Sequence, residues 1–88
     1  MKTYIAKSGR LYKIGKSKDP VKRINALKTG NPNIRLIAFG EGVSEKTLHF
    51  RFRRNRQSGE WFKFRHKDVE KIIGLLCNEY HSKEFVLS

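Results

Sequence analysis

A single cysteine, Cys77, stands in 88 residues. One thiol closes no internal disulfide and builds no cysteine-rich zinc site. The three histidines, His49, His66 and His81, lie far apart and match no common zinc spacing. No apolar run approaches the roughly 18–20 residues that span a bilayer. The opening MKTYIAKSGRLYK has no apolar h-region of the kind that directs secretion. A reduced, cytoplasmic chain without a membrane partner is expected. There is no Gly-rich phosphate loop, no GXXG loop and no RNP-type aromatic strand. Acidic residues are scarce as well: eight, against 20 lysines and arginines.

That scarcity leaves a formal charge of +12 and a sequence pI near 10.3. In a small chain such an excess implies a polyanionic partner, most simply nucleic acid, because each phosphate contact releases condensed counterions. Hydrophobic residues make up 38% and aromatics 11%, enough for a compact globule rather than a disordered tail. The length is that of one domain, residues 1–88, with no internal repeat or linker.

Segments 2–6 (KTYIA) and 11–15 (LYKIG) read as two strands joined by a hairpin. A turn at Ser8-Gly9 would place Tyr4 directly across from Lys13 and pair Ile5 with Tyr12 on the opposite face. Asp19-Pro20 starts a helix with Asp as cap and Pro at the first position, running to about Lys28 with Gly30 at its end. Pro20, Ile24 and Leu27 form its apolar stripe. Arg23 falls on the border, its stem buried and its guanidinium in a cleft.

IRLIAF (34–39) is a third strand, and Ser44 caps a second helix with Val43 and Leu48 placed as a hydrophobic staple. Glu45 sits in its first turn, where a carboxylate suits the helix dipole, and shares a flank with Leu48 and Phe52 next to His49. RFRRNR (51–56) carries basic density, WFKF (61–64) is a short extended piece, and Val69, Ile72, Ile73, Leu76 and Tyr80 have helical spacing. KEFVLS (83–88) is ambiguous between a frayed end and a strand. The order β-β-α-β-α, an extended segment and a closing helix implies an α+β fold, a three-stranded antiparallel sheet flanked by helices.

Asp19 is used as a cap, and Asp68, Glu70, Glu79 and Glu84 lie around or after the last helix. A two-metal site needs several converging carboxylates, so a one-metal site at Glu45 fits the composition better. Tyr4, then Lys13-Ile14-Gly15, then Arg23, then Glu45-x-x-Leu48-His49, then Gly59-Glu60-Trp61-Phe62 resembles the GIY-YIG nuclease family, in the phage-type branch whose second motif reads KIG. The likeness covers roughly residues 2–64. The glycine-isoleucine pair of the first motif is absent, since Lys2-Thr3 precede Tyr4, and no residue matches the family's late Asn.

The resemblance implies an endonuclease that hydrolyses DNA with one Mg²⁺ or Mn²⁺, leaving 5′-phosphate and 3′-hydroxyl ends. Tyr4 would activate water as base or base partner, and Lys13 would favour ionisation of Tyr4 or contact the phosphate. Arg23 would neutralise charge on the phosphoryl oxygens. Glu45 would hold the metal against the leaving oxygen. Lys16, Arg51, Arg53, Arg54 and Arg56 are the expected nucleic-acid contacts, with Tyr12, His49 and Glu60 as accessory residues. DNA is favoured over RNA, and a homodimer or a larger assembly would supply sequence recognition. Two other readings remain: a non-catalytic nucleic-acid-binding module, and a basic adaptor or inhibitor that docks on an acidic protein.

Overall fold

A computed structural model describes residues 1–77. Tyr80 and the segment 83–88 lie outside them. The elements are β1 (Lys2–Ser8), β2 (Leu11–Ser17), α1 (Pro20–Leu27), β3 (Arg35–Gly40), α2 (Glu45–Arg51), a 3-10 turn (Arg53–Asn55), β4 (Arg56–Ser58), β5 (Trp61–Phe62) and α3 (His66–Leu76). The fold is α+β, an antiparallel sheet with helices on both faces. Two short strands widen the expected three-stranded sheet to five, in the order β3-β1-β2-β5-β4. The extended WFKF piece supplies β5, and the end of the arginine run supplies β4.

The first hairpin corrects the expected register. Its two-residue loop is Gly9-Arg10, with Ser8 paired to Leu11, so Tyr4 faces Gly15, Ile5 faces Ile14 and Ala6 faces Lys13. Tyr12 pairs with Lys7 rather than Ile5. The cause is the turn: Gly9 adopts φ 61 while no non-glycine residue among the described ones has positive φ, the arrangement of a type II′ turn with Gly at the first central position. The slip is two residues, and a strand repeats its face every two. Tyr4 and Lys13 therefore keep a common face although they are not directly opposed. The β4–β5 hairpin repeats the device, with Gly59 at φ 52 between the paired Ser58 and Trp61.

Alternation along β1 and β2 splits the core into two layers. Ile5 and Ile14 pack with Ala38, Leu48, Phe52, Phe62, Val69, Ile72 and Leu76, so α2 and α3 cover that face. Tyr4 and Ala6 pack with Ile24 and Ile34 on the other, covered by α1. Aromatic contacts knit the first layer: Phe62 stacks on Phe64 at 5.3 Å, and Phe52 meets Phe64 edge-on at 5.4 Å.

The caps follow the sequence signals. Asp19 accepts from the Lys22 amide at 3.1 Å. Ser44 accepts from the Thr47 amide at 3.1 Å, and Val43 and Leu48 pack into the same layer. Helix α1 ends differently from the expectation: Gly30 is not left-handed, and its amide and that of Asn31 both bond back to the Leu27 carbonyl at 3.2 and 3.0 Å. Cys77 is buried against the Phe39 carbonyl, and burial pushes its thiol up.

Phe62 is fully buried and belongs to the strand that carries the sheet past β2. Phe62→Ala should cost about 3–5 kcal/mol, measured as a fall in the urea midpoint with the slope unchanged.

Candidate active site and basic surface

The glycine of the Lys13-Ile14-Gly15 motif has a steric reason. A Cβ built on Gly15 would lie 2.6 Å from both the ring carbon Cζ and the hydroxyl of Tyr4. The phenol of Tyr4 thus rests on the bare backbone of β2, and only glycine leaves that space. Tyr4 is 1% exposed, yet its hydroxyl bonds to no group among the described residues. No buried polar side-chain atom among the described residues lacks a partner, so this hydroxyl meets solvent at the rim of an otherwise buried ring.

Lys13 shares the face of Tyr4 two positions along β2. Its ammonium lies 2.8 Å from Glu60 Oε1 and 5.6 Å from the centre of the Trp61 ring. Glu60 occupies the second position of the β4–β5 turn, and its carbonyl accepts from the Ile14 amide at 3.1 Å. The GEWF segment therefore ties β5 to β2 through backbone and side chain together. Half of Glu60 is open to water, so the ion pair is worth little in stability. Its effect is positional.

Arg23 departs from the expectation. It lies on α1, the helix over the Tyr4 face, but it is exposed, and its side chain has no hydrogen-bond or ion-pair partner among the described residues. A fully packed stripe of Pro20 and Ile24 keeps the helix seated without the arginine stem. Glu45 is half-buried at the start of α2, in the first turn, and its carboxylate makes no hydrogen bond or ion pair among the described residues. That helix belongs to the opposite layer, where Leu48 packs with Ile14. Among the described residues no hydrogen bond or ion pair joins Tyr4, Lys13, Arg23 and Glu45 to one another. Tyr4 and Lys13 share one face of the sheet, the face that α1 with Arg23 covers, whereas Glu45 starts the helix that covers the opposite face, so the four are not brought into one cluster.

His49 shows how α2 is held there. Its Nε2 lies 2.9 Å from the Ile14 carbonyl. A carbonyl only accepts, so Nε2 carries the hydrogen in this contact. The ring also meets Phe62 edge-on at 5.0 Å. His49 is an anchor between helix and sheet, one helical turn from Glu45. Tyr12 points into the same layer as His49, 5.7 Å from Phe64 and beneath the Lys7 ammonium at 5.3 Å. It stands on the face away from Tyr4, so the two tyrosines do not form a pair.

The expected nucleic-acid contacts are all exposed. Lys16 pairs in register with Thr3 and alternates onto the face away from Lys13. Arg51 ends α2, Arg54 lies in the 3-10 turn, and Arg56 opens β4. Arg53 is less free: its Nη1 donates to the Phe50 carbonyl at 2.8 Å, and its guanidinium lies 4.3 Å from the Phe50 ring centre. Lys13 is the one lysine or arginine in an ion pair among the described residues.

Comparison with known protein families matches residues 2–77 to the T5orf172 domain. The chain belongs to the T5orf172 domain family. That family is phage-associated and nuclease-like, and the match spans every element from β1 to α3. No curated protein and no solved structure matches the chain. No helix among the described residues of this T5orf172 domain is long and apolar enough to cross a membrane.

The sequence reading did not foresee the steric role of Gly15 or the outward Phe50. The first was visible in principle, since a glycine inside a strand signals a close approach. The second breaks the amphipathic pattern of α2, two positions from inward Leu48 and Phe52. Gly15→Ala should push the Tyr4 ring from its seat and destabilise the fold by about 1–3 kcal/mol. Loss of Tyr4 ring contacts in NMR spectra, together with a lower melting temperature, checks it.

Proposed function

We propose that this T5orf172 domain is a metal-assisted DNA endonuclease of the GIY-YIG type. The observation that supports this reading best is the phenol of Tyr4: buried as a ring, seated on Gly15, with a hydroxyl free of protein partners. A tyrosine that serves packing alone gains nothing from an open hydroxyl. A hydroxyl fixed by a rigid strand can hold an attacking water and pass on its proton.

In the proposed reaction water attacks the phosphorus and the bond to the 3′ oxygen breaks. The products are a 5′-phosphate and a 3′-hydroxyl: the attacking water passes its proton to the Tyr4 hydroxyl, which releases its own to solvent, and the departing 3′ oxygen takes a proton from solvent water. Lys13 and Arg23 stabilise the charge that grows on the phosphoryl oxygens. Lys13 must exchange Glu60 for phosphate to do so, and Arg23, being exposed, swings onto the DNA from α1. Glu45 is the residue that fits a divalent ion. Its carboxylate is free, and Mg²⁺ is commonly held by one or two carboxylates with waters and substrate phosphates. Among the described residues no three His, Cys, Asp or Glu side chains gather, so Glu45 would act as a lone protein ligand. When bound, Mg²⁺ or Mn²⁺ supplies Lewis-acid stabilisation of the leaving oxygen. The unpaired arginines and Lys16 bind the phosphate backbone.

One observation favours a second reading, a DNA-binding module without catalysis: the Lys13 ammonium is already engaged by Glu60. Plasmid DNA with Mg²⁺ or Mn²⁺ separates the two. Cleavage by the wild type should fall about 10²–10⁴-fold in Tyr4→Phe and as far in Glu45→Ala, with DNA binding retained in both. Tyr4→Phe should change stability by less than about 1 kcal/mol, because its hydroxyl has no protein bond to lose. Binding without cleavage by the wild type supports the module. Equal cleavage by all three overturns the site.

A further inference from the structure

Phe50 is 68% exposed at the outer side of α2, while its neighbours Leu48 and Phe52 are buried. Folding does not explain an aromatic there, since the same helix already has its inward anchors. The ring is not loose. Arg53 lies over it at 4.3 Å and donates to the Phe50 carbonyl at 2.8 Å, while His49, the residue before it, is pinned to the Ile14 carbonyl. A flat apolar surface is thus presented on an anchored helix, with one cation stacked on it and Arg51, Arg54 and Arg56 along the same segment without ion-pair partners among the described residues.

We infer that Phe50 and Arg53 form a stacking platform for an unpaired base of single-stranded DNA, which makes a single-stranded or locally melted stretch the preferred substrate of the domain. The inference rests on the DNA-binding reading above and deepens it. Charge complementarity names the partner: an aromatic ring framed by unpaired arginines suits a ligand with anionic links between flat π-faces. Single-strand binding sites combine a basic track with aromatics on which bases stack, and they need no hydrogen-bond readout. Arg stacked on the ring adds a cation–π contribution and a second planar surface. A paired base inside an intact duplex offers no free face, so duplex binding would use the arginines alone.

The test uses the full chain without metal, with fluorescence anisotropy on a labelled oligothymidylate and on a labelled duplex of equal length. Phe50→Ala should weaken strand binding about five- to hundred-fold and leave duplex binding within about two-fold, because phosphate contacts carry it. Phe50→Trp should keep strand affinity, and its added indole emission should be quenched when the strand binds. Phe50 is exposed, so unchanged circular dichroism in both variants is expected. Equal losses on strand and duplex, no loss on either, or no strand binding by the wild type overturns the platform. Normal duplex binding and cleavage alongside any of these leaves the nuclease reading standing. Failure to bind DNA in either form sinks both.

Discussion

The contact between the Tyr4 ring and the Cα of Gly15 is the constraint on which the rest of the site depends. It exists because the Gly9-Arg10 loop sets the register that pairs Tyr4 with Gly15. It needs glycine there, because any Cβ would overlap the phenol. Once seated, the ring completes the layer of Ala6, Ile24 and Ile34 that holds α1 on the sheet. A one-residue slip would exchange the faces and carry Tyr4 into the other layer. Turn, motif glycine, helix docking and the open hydroxyl are thus one steric arrangement seen at four points.

Charge sets the second condition. With +12 on 88 residues and one lysine or arginine in an ion pair among the described residues, the fold carries considerable self-repulsion. Salt attenuates it over about 8 Å at physiological ionic strength, and a polyanion neutralises it directly. Most of the described cations are exposed, while Asp19 and Asp68 accept from backbone amides and Glu60 holds Lys13. Glu45 and Glu41 have no side-chain hydrogen bond or ion pair among the described residues, and Glu45 lies in the first turn of α2, where a carboxylate suits the helix dipole.

Much of this was legible in the sequence because local chemistry determined it. Asp19-Pro20, Ser44 with its staple, and the apolar stripes of α1 and α3 each announce an element through short-range physics, and each forms. The register was not legible, because Ser8-Gly9 and Gly9-Arg10 are both two-residue loops and differ only in where the positive φ falls. The extra strands were hidden by length: two or three residues carry no period, and β5 exists because tertiary pairing with Tyr12 and Lys13 holds it. The surroundings of Arg23 were misjudged for a related reason. A helical wheel gives direction, not the depth of what lies beside the helix, and here Arg23 stays exposed.

Helix α2 shows how few residues can connect the two layers to the surface. In seven residues it carries an inward Leu48, an anchor in His49, an outward Phe50 and a free carboxylate at Glu45. Helix propensity cannot stabilise so short a segment in water, so its position comes from Leu48 in the core and the His49 bond to Ile14. Both attach to β2 within one residue of Gly15. The consequence is geometric: the carboxylate, the outward ring and the Tyr4 seat are referenced to one strand segment and cannot drift independently. In a domain this small, placing both anchors beside Gly15 fixes α2 on the sheet and leaves the arginine-bearing segment after it exposed.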